Sequence, residues 1–485
     1  MRNLKKFKKH MFFLGVSNIS LSMAHETPNI ILIVADDLGY ADMSFLPQSA
    51  REVHTPNIDR LALQGVYFEQ AYATCPVSSP ARAGLITGRY QQRWGNYWFG
   101  QGGVPQGEVT IAEYLKRKGY YTVKVGKTHH NGKELDHPKL HGFDEFFGFL
   151  DHTHSYVHLS YKDVKRLGVK AAKQAFVGPL LHNDELVEFE DPEAYTTTIF
   201  TEKAVQYIKD SKRNKTLFFL FLSYNAVHIP TYQHTPSTNK AYGLSEYEEW
   251  NPQKESFVKW HERVDWKNSI DLDRRKRYLA CLELMDKGIG RVLDTVENDR
   301  NTIVIFLSDN GGTHNTEAYN TPLSGHKYQF KEGGVRIPLI ASCPERWSPG
   351  INKTAMVSAM DIVPTLLDIV GVHLEEGHLP DGKSLLPLLE KRREEQHDVL
   401  FFDGGWAWAV RKGEWKLIHI KENRKARNYE DVKGDYLFNL AYDIREENNL
   451  ADKYPEIVSL LRDRYNVWRK DKPEALSPEE ANVKY

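Results

Sequence analysis

Within this 485-residue chain, Ser78-Ser79-Pro80-Ala81-Arg82 is the stretch whose residue types and spacing best suit chemistry. Proline fits the first turn of a helix, where its missing N–H costs nothing, and Ala83 to Thr87 can carry the helix on to Gly88-Arg89. Ser78 then stands at a helix N-terminus, where unpaired N–H groups and the dipole favour an anion. Arg82, one turn later, can return a planar donor fork to the same place. A serine before proline is also an ordinary helix cap, so the pentapeptide needs company. Two apolar runs supply it. Asn29 to Ala35 reads as a strand ending in Asp36-Asp37, and Thr302 to Ser308 reads as another ending in Asp309-Asn310. Continuous β-branched runs mark parallel strands covered on both faces. In open α/β sheets, ligands lie beyond the carboxyl ends of such strands. Three carboxylates and one amide converging there repel one another unless a cation sits between them. Oxygen donors without a nearby cysteine favour Ca2+ or Mg2+ over zinc.

Further motifs follow in order. Tyr121 to Lys127 is a strand leading into Gly126-Lys127-Thr128-His129. Phe218 to Ser223 leads to Asn225-Ala226-Val227-His228-Ile229-Pro230, and Gly325-His326-Lys327 precedes Glu332-Gly333-Gly334-Val335-Arg336-Ile337-Pro338. Together these elements resemble the type I sulfatases of the alkaline-phosphatase-like superfamily, and the bacterial carbohydrate sulfatases among them. That family carries a C/S-x-P-x-R signature with an L-x-T-G-R tail. Pro80 and Arg82 fix the register and put the variable first position at Ser78; counted from Cys75, Val77 and Ser79 would fall where Pro and Arg belong.

The resemblance implies that Ser78 is oxidised to Cα-formylglycine, whose hydrated aldehyde is the nucleophile. It implies one Ca2+ held by Asp36, Asp37, Asp309, Asn310 and the modified Ser78. Arg82, Lys127, His129, His228 and Lys327 are implied around the sulfate. Asp309 is implied as proton acceptor, His228 (assisted by Lys327) as the acid for the leaving sugar oxygen, and His129 as the base that frees sulfate. A serine precursor implies an anaerobic sulfatase-maturating enzyme as partner. Two positions depart from the family pattern: Tyr328 follows Lys327 where Gly is commoner, and Thr128 replaces a frequent Trp. Other readings are a phosphomonoester or phosphonate monoester hydrolase on the same scaffold, and an inactive glycan-binding relative with Ser78 unmodified.

The elements that must hold these residues read as strand alternating with helix to about residue 390, the pattern of an α/β sandwich around a large, mostly parallel sheet. Thr110-Ile111-Ala112-Glu113 is a capping box. Leu279, Leu282, Ile289, Val292 and Val296 share one helix face. Past the charged Glu390–Gln396 linker come four short strands and an amphipathic helix from Tyr454 to Lys470, matching the family's small antiparallel sheet with a packed helix. The expected division is a signal peptide over 1–24, a catalytic domain over 25–390 and a C-terminal subdomain over 391–485. The first of these rests on Arg2, Lys5, Lys6, Lys8 and Lys9 before an apolar Met11–Val16 stretch and a small-residue Ser22-Met23-Ala24 site. It predicts a periplasmic or secreted protein. No later segment approaches the roughly 20 apolar residues needed to span a bilayer. A net charge of −1 gives no electrostatic case for nucleic acid. Three widely spaced cysteines suggest neither a disulfide framework nor a zinc site. The irregular stretches near 151–195 and 231–270 read as substrate loops. Trp94, Trp98, His152 and His154 are the candidate contacts to a sulfated saccharide, taken at the end of a mono- or oligosaccharide.

Overall fold

The computed structural model describes residues 26–157, 180–187, 191, 193–245, 251, 253–256, 259, 263, 273–372, 374, 377–426 and 429–485. The expected signal peptide lies outside them, as do parts of both irregular stretches. Four strands form the centre of a ten-stranded sheet: β1 (Asn29–Ala35), β2 (Tyr121–Lys127), β3 (Phe218–Ser223) and β4 (Thr302–Ser308), ordered β4-β1-β3-β2 and all parallel. In the whole sheet only Leu180–His182 and Leu339–Ser342 run against the remaining strands that the pairings orient. Side chains alternate between the two faces of a strand. Ile30, Leu32, Val34, Phe219, Phe221, Ile303, Ile305 and Leu307 enter one core, and Ile31, Ile33, Ala35, Phe218, Leu220, Leu222, Val304 and Phe306 enter the other. Both faces are dry, which is why these strands show no polar alternation.

The first core is covered by α1 (Ser78–Thr87), α2 (Ile111–Arg117) and a helix over Ile362–Val370. The second is covered by α3 (Thr196–Asn214) and α4 (Arg274–Val296). The Thr110–Glu113 capping box opens α2 as its residues predict. Helix α1 is buried all round and begins at Ser78, with Val77 as N-cap and no side-chain cap. It stops at Gly88, whose φ of +70° is a left-handed conformation; a Cβ there would also lie 2.8 Å from Val363 Cβ. The turn after α1 is therefore fixed by glycine.

A second sheet follows, in the order β5 (Val399–Asp403), β6 (Ala407–Lys412), β7 (Trp415–Ile420) and β8 (Gly434–Asn439), wholly antiparallel. Its alternation is clean. Leu400, Phe402, Ala407, Ala409, Ile418 and Phe438 pack on Tyr72, Tyr90, Phe330, Val335 and Met360 of the main body. Trp408, Val410, Leu417 and Leu437 face Leu461 and Tyr465 of the C-terminal helix α5 (Pro455–Arg469). The Trp408 and Tyr465 rings stack at 4.0 Å. Among the described residues no helix is long and apolar enough to cross a membrane.

Candidate active site

The carboxyl ends of β1 and β4 are adjacent, with Ala35 paired to Ser308, so Asp36-Asp37 and Asp309-Asn310 leave the sheet side by side. Asp37 takes φ of +60°, a left-handed conformation that short polar side chains tolerate. Its N–H donates to Asp309 Oδ1 at 3.2 Å, and Asn310 Nδ2 donates to Asp37 Oδ1 at 2.7 Å. Ser78 enters from the N-terminus of α1, and its hydroxyl donates to Asn310 Oδ1 at 2.9 Å. One turn on, Arg82 is wholly buried. Its Nε donates to Asp309 Oδ2 at 2.9 Å, its Nη1 donates to Ser223 Oγ at 2.6 Å, and its Nη2 lies 3.5 Å from Asp36 Oδ1.

Two ammonium groups complete this cluster. Lys127, at the end of β2, donates to Asp36 Oδ2. Lys327 lies 2.8 Å from Asp37 Oδ1 and 3.2 Å from Ser78 Oγ. His228 sits with Nε2 3.8 Å from Asp37 Oδ2, while Nδ1 meets the Ile229 carbonyl at 2.9 Å and Thr153 Oγ1 at 3.3 Å. Burial opposes ionisation of Asp36, yet Lys127, His228 and Arg82 outweigh it and hold the carboxyl below its usual range. Burial likewise opposes the Lys327 charge, and Asp37 more than restores it. Burial pushes His228 down to about 4, against the pull of Asp36.

These residues fit a hard, oxygen-liganded cation. Asp36 Oδ1 is buried and accepts no hydrogen bond, with Arg82 Nη2 standing off at 3.5 Å, so it keeps lone pairs free for a cation ligated more closely. Ligand atoms of Asp36, Asp37 and His228 lie within 4.8 Å of one another. Asp309 and Asn310 add oxygens from the adjoining strand end.

A cavity of about 520 Å³ opens on this cluster, lined among others by Ser78, His129, His152, His228 and Lys327. His129 forms its wall with φ of +49°, its ring 6.0 Å from that of half-exposed His152. A larger cleft of about 600 Å³ lies beside Thr302, at the amino end of β4, and holds none of these residues. The substrate-contact expectation needs two corrections. Trp94 is fully buried in the first core, with Nε1 donating to the Gly103 carbonyl at 2.8 Å. His154 is buried against Phe149, with Nδ1 2.8 Å from the Ser155 carbonyl. Neither lines the cavity, because the short 3-10 helix over Gln91–Trp94 and the loop carrying His154 turn both side chains inward. Trp98 stands just behind the wall, its ring 5.8 Å from that of Tyr328. Reasoning from sequence overlooked Ser223, the Arg82 partner. Its signal was its place as the last residue of β3, level with Gly126 of β2.

Against known proteins, the sulfatase family model matches residues 28–372, and the chain belongs to the sulfatase family. It is a sulfuric ester hydrolase. A model of the N-sulphoglucosamine sulphohydrolase C-terminal region matches 326–471. The dog N-acetylgalactosamine-6-sulfatase is 28% identical over 426 residues, covering 84% of this chain and 74% of its own length. A sulfatase of Formosa agariphila is 28% identical, covering 96% of this chain and 94% of its own. The solved structure of Ps i-CgsB in complex with k-i-k-neocarrahexaose superposes with a TM-score of 0.77 at 29% identity, covering 95% of this chain and 97% of that one.

Proposed function

We propose that this sulfatase removes O-sulfate from a sulfated carbohydrate, acting at the end of a mono- or oligosaccharide, with Ser78 oxidised to formylglycine in its working form. The observation that carries the reading is Ser78 Oγ, bonded both to Asn310 and to Lys327 at the floor of a cavity. Support for a sugar comes from the N-acetylgalactosamine-6-sulfatase likeness and from the relative solved with neocarrahexaose.

Sulfate monoesters of sugars resist hydrolysis because water is a weak nucleophile and a sugar alkoxide is a strongly basic leaving group. Formylglycine at position 78 would offer a hydrated aldehyde as nucleophile, and Asp36, Asp37, Asp309 and Asn310 would hold a Ca2+ whose charge would favour loss of its proton. Asp309 accepts that proton. Lys127, Lys327 and Arg82 neutralise the sulfate oxygens and stabilise the charge that builds there, Lys327 from the cavity wall and the other two from behind it. His228, facing the cavity beside Lys327, gives a proton to the departing sugar oxygen. The negative charge of an arriving sulfate offsets the burial and the ammonium groups that depress His228 in its absence. His129, across the cavity, accepts the proton whose loss frees sulfate.

We further take 25–390 as the catalytic unit and 391–485 as a C-terminal subdomain. Residues 1–24 act as an export signal to the periplasm or beyond, and a radical maturase oxidises Ser78. Peptide mass spectrometry after co-expression with an anaerobic sulfatase-maturating enzyme is expected to show the Ser78 peptide lighter by one hydrogen pair. The same preparation should release sulfate from members of a sulfated-saccharide panel and turn over aryl sulfate in preference to aryl phosphate. An unmodified Ser78 in fully active protein would overturn the reading.

A further inference from the structure

Beside the sulfate pocket lies an aromatic shelf that the chemistry above does not use. Lys327 Nζ sits 5.5 Å above the Tyr328 ring, which lines the cavity with Phe99. Trp98 packs on Tyr328 at 5.8 Å and on Phe99 at 4.9 Å. The Asn131 amide, on the cavity wall, donates to the Trp98 carbonyl at 3.2 Å and fixes that residue. Trp406, between β5 and β6, meets Trp98 edge to face at 4.3 Å. Tyr328 holds this place at φ of +78°, a left-handed conformation that is strained for a bulky residue and not for glycine. A strained side chain on the wall of a functional cavity calls for a reason.

Arg424 ends the shelf. It lies on a short strand over Arg424–Ala426, with its guanidinium 4.6 Å from the Trp98 ring and 4.4 Å from the Trp406 ring. Among the described residues it makes no hydrogen bond or ion pair. Asp431, opposite Arg424 on the paired strand, feels its charge and accepts from Gln329 Nε2 at 3.1 Å. Rings over the face of a guanidinium satisfy its π surface and leave the in-plane N–H donors open, a geometry suited to carboxylate or sulfate.

Resting on the reading of the chain as a carbohydrate sulfatase, the geometry points to a second subsite. The ring next to the sulfated sugar lies on Tyr328 and Phe99, which Trp98 backs from behind the wall, and Arg424 pairs with a second anionic substituent of the saccharide, sulfate or carboxylate. Apolar sugar faces suit aromatic surfaces, and one charge-assisted pair at a partly desolvated site changes affinity by about tenfold or more. The preferred substrate is therefore at least dianionic.

The test uses matured full-length enzyme turning over 4-methylumbelliferyl sulfate, with three competitors: N-acetylgalactosamine 6-sulfate, the chondroitin 6-sulfate disaccharide and neocarrahexaose. Wild type should be inhibited about tenfold more tightly by at least one multiply charged saccharide than by the monosaccharide. R424Q should lose most of that ratio, R424K should keep part of it, and added salt should erode it in wild type. Y328G, which relieves the backbone, should fold with little change in Tm yet bind the oligosaccharide several-fold more weakly. Equal ratios in wild type and R424Q, or no preference in wild type, would overturn the subsite. An R424Q protein with a normal Tm and a weakened ratio excludes a purely structural role. Absence of turnover by matured wild type fails the sulfatase reading itself, and the subsite with it.

Discussion

Arg82 shows how much one side chain contributes here. It is wholly buried, and its fork reaches Asp309 and Ser223 while approaching Asp36. Lysine keeps the charge but offers one compact donor group in place of a planar fork. R82K is therefore expected to lose about 10²-fold in kcat/KM on aryl sulfate, with about 1–3 kcal/mol of stability lost through the acceptors left short. Steady-state kinetics alongside chemical denaturation separates the two effects. A variant with unchanged kcat/KM would remove Arg82 from the sulfate site. The residue scale also explains the two misplaced contacts. Tryptophan and histidine are intermediate in burial and occur in cores as well as at surfaces, and nothing in the residues around Trp94 or His154 marks which way the side chain turns.

At the scale of elements, the loop carrying Trp98 and Phe99 depends on a carboxyl that no cation pairs among the described residues. Asp136 accepts from the backbone N–H of Val104 at 3.0 Å and from that of Gly132. Burial pushes its carboxyl up to about 7 despite those hydrogen bonds. The folded state thus holds a proton that the unfolded chain releases near pH 4. Between about pH 4 and 7 the native state binds more protons than the unfolded one, so this group lowers stability as pH rises through that window. Asp136→Asn cannot titrate, and its unfolding free energy should fall less steeply across the window than that of wild type, by at most about 1.4 kcal/mol per pH unit. Denaturant melts at several pH values check this; parallel curves would reject it.

At the scale of the whole molecule, the second sheet is joined to the main body by a buried ionic knot as well as by its apolar face. Lys416 of β7 lies 2.9 Å from Glu332 Oε1 and 3.0 Å from Glu446 Oε1, all three buried. Tyr72 donates to Glu332 Oε2 at 2.8 Å, and the Glu332 N–H donates to Glu446 Oε2 at 2.6 Å. Removing one partner of such a group strands charge in a dry interior, at a cost of about 3–5 kcal/mol. Lys416→Met is expected to lower stability by that order and to expose the β5–β8 region to limited proteolysis before the main body. A second change, Glu446→Gln, should recover part of the loss; full additivity would argue against coupling.

Read alone, the sequence marked the family, the scaffold's character and the residues of the candidate site: acids at the ends of two unbroken apolar runs, a Ser-x-Pro-x-Arg helix start, and basic residues in a fixed order. Those signals are local. A doubly buried strand writes itself as continuous Val, Ile, Leu and Phe, and a helix start is written within five residues. Tertiary structure alone decided what lies far apart in the chain. It made the Glu332-Gly333-Gly334 element a joint to Lys416 and set Ser223 beneath Arg82. It also turned Trp94 inward while leaving Trp98 behind the cavity wall, and brought Arg424 against Trp98 from more than three hundred residues further along the chain. Such contacts depend on loop direction and on the docking of one sheet on another, and periodicity carries no record of either.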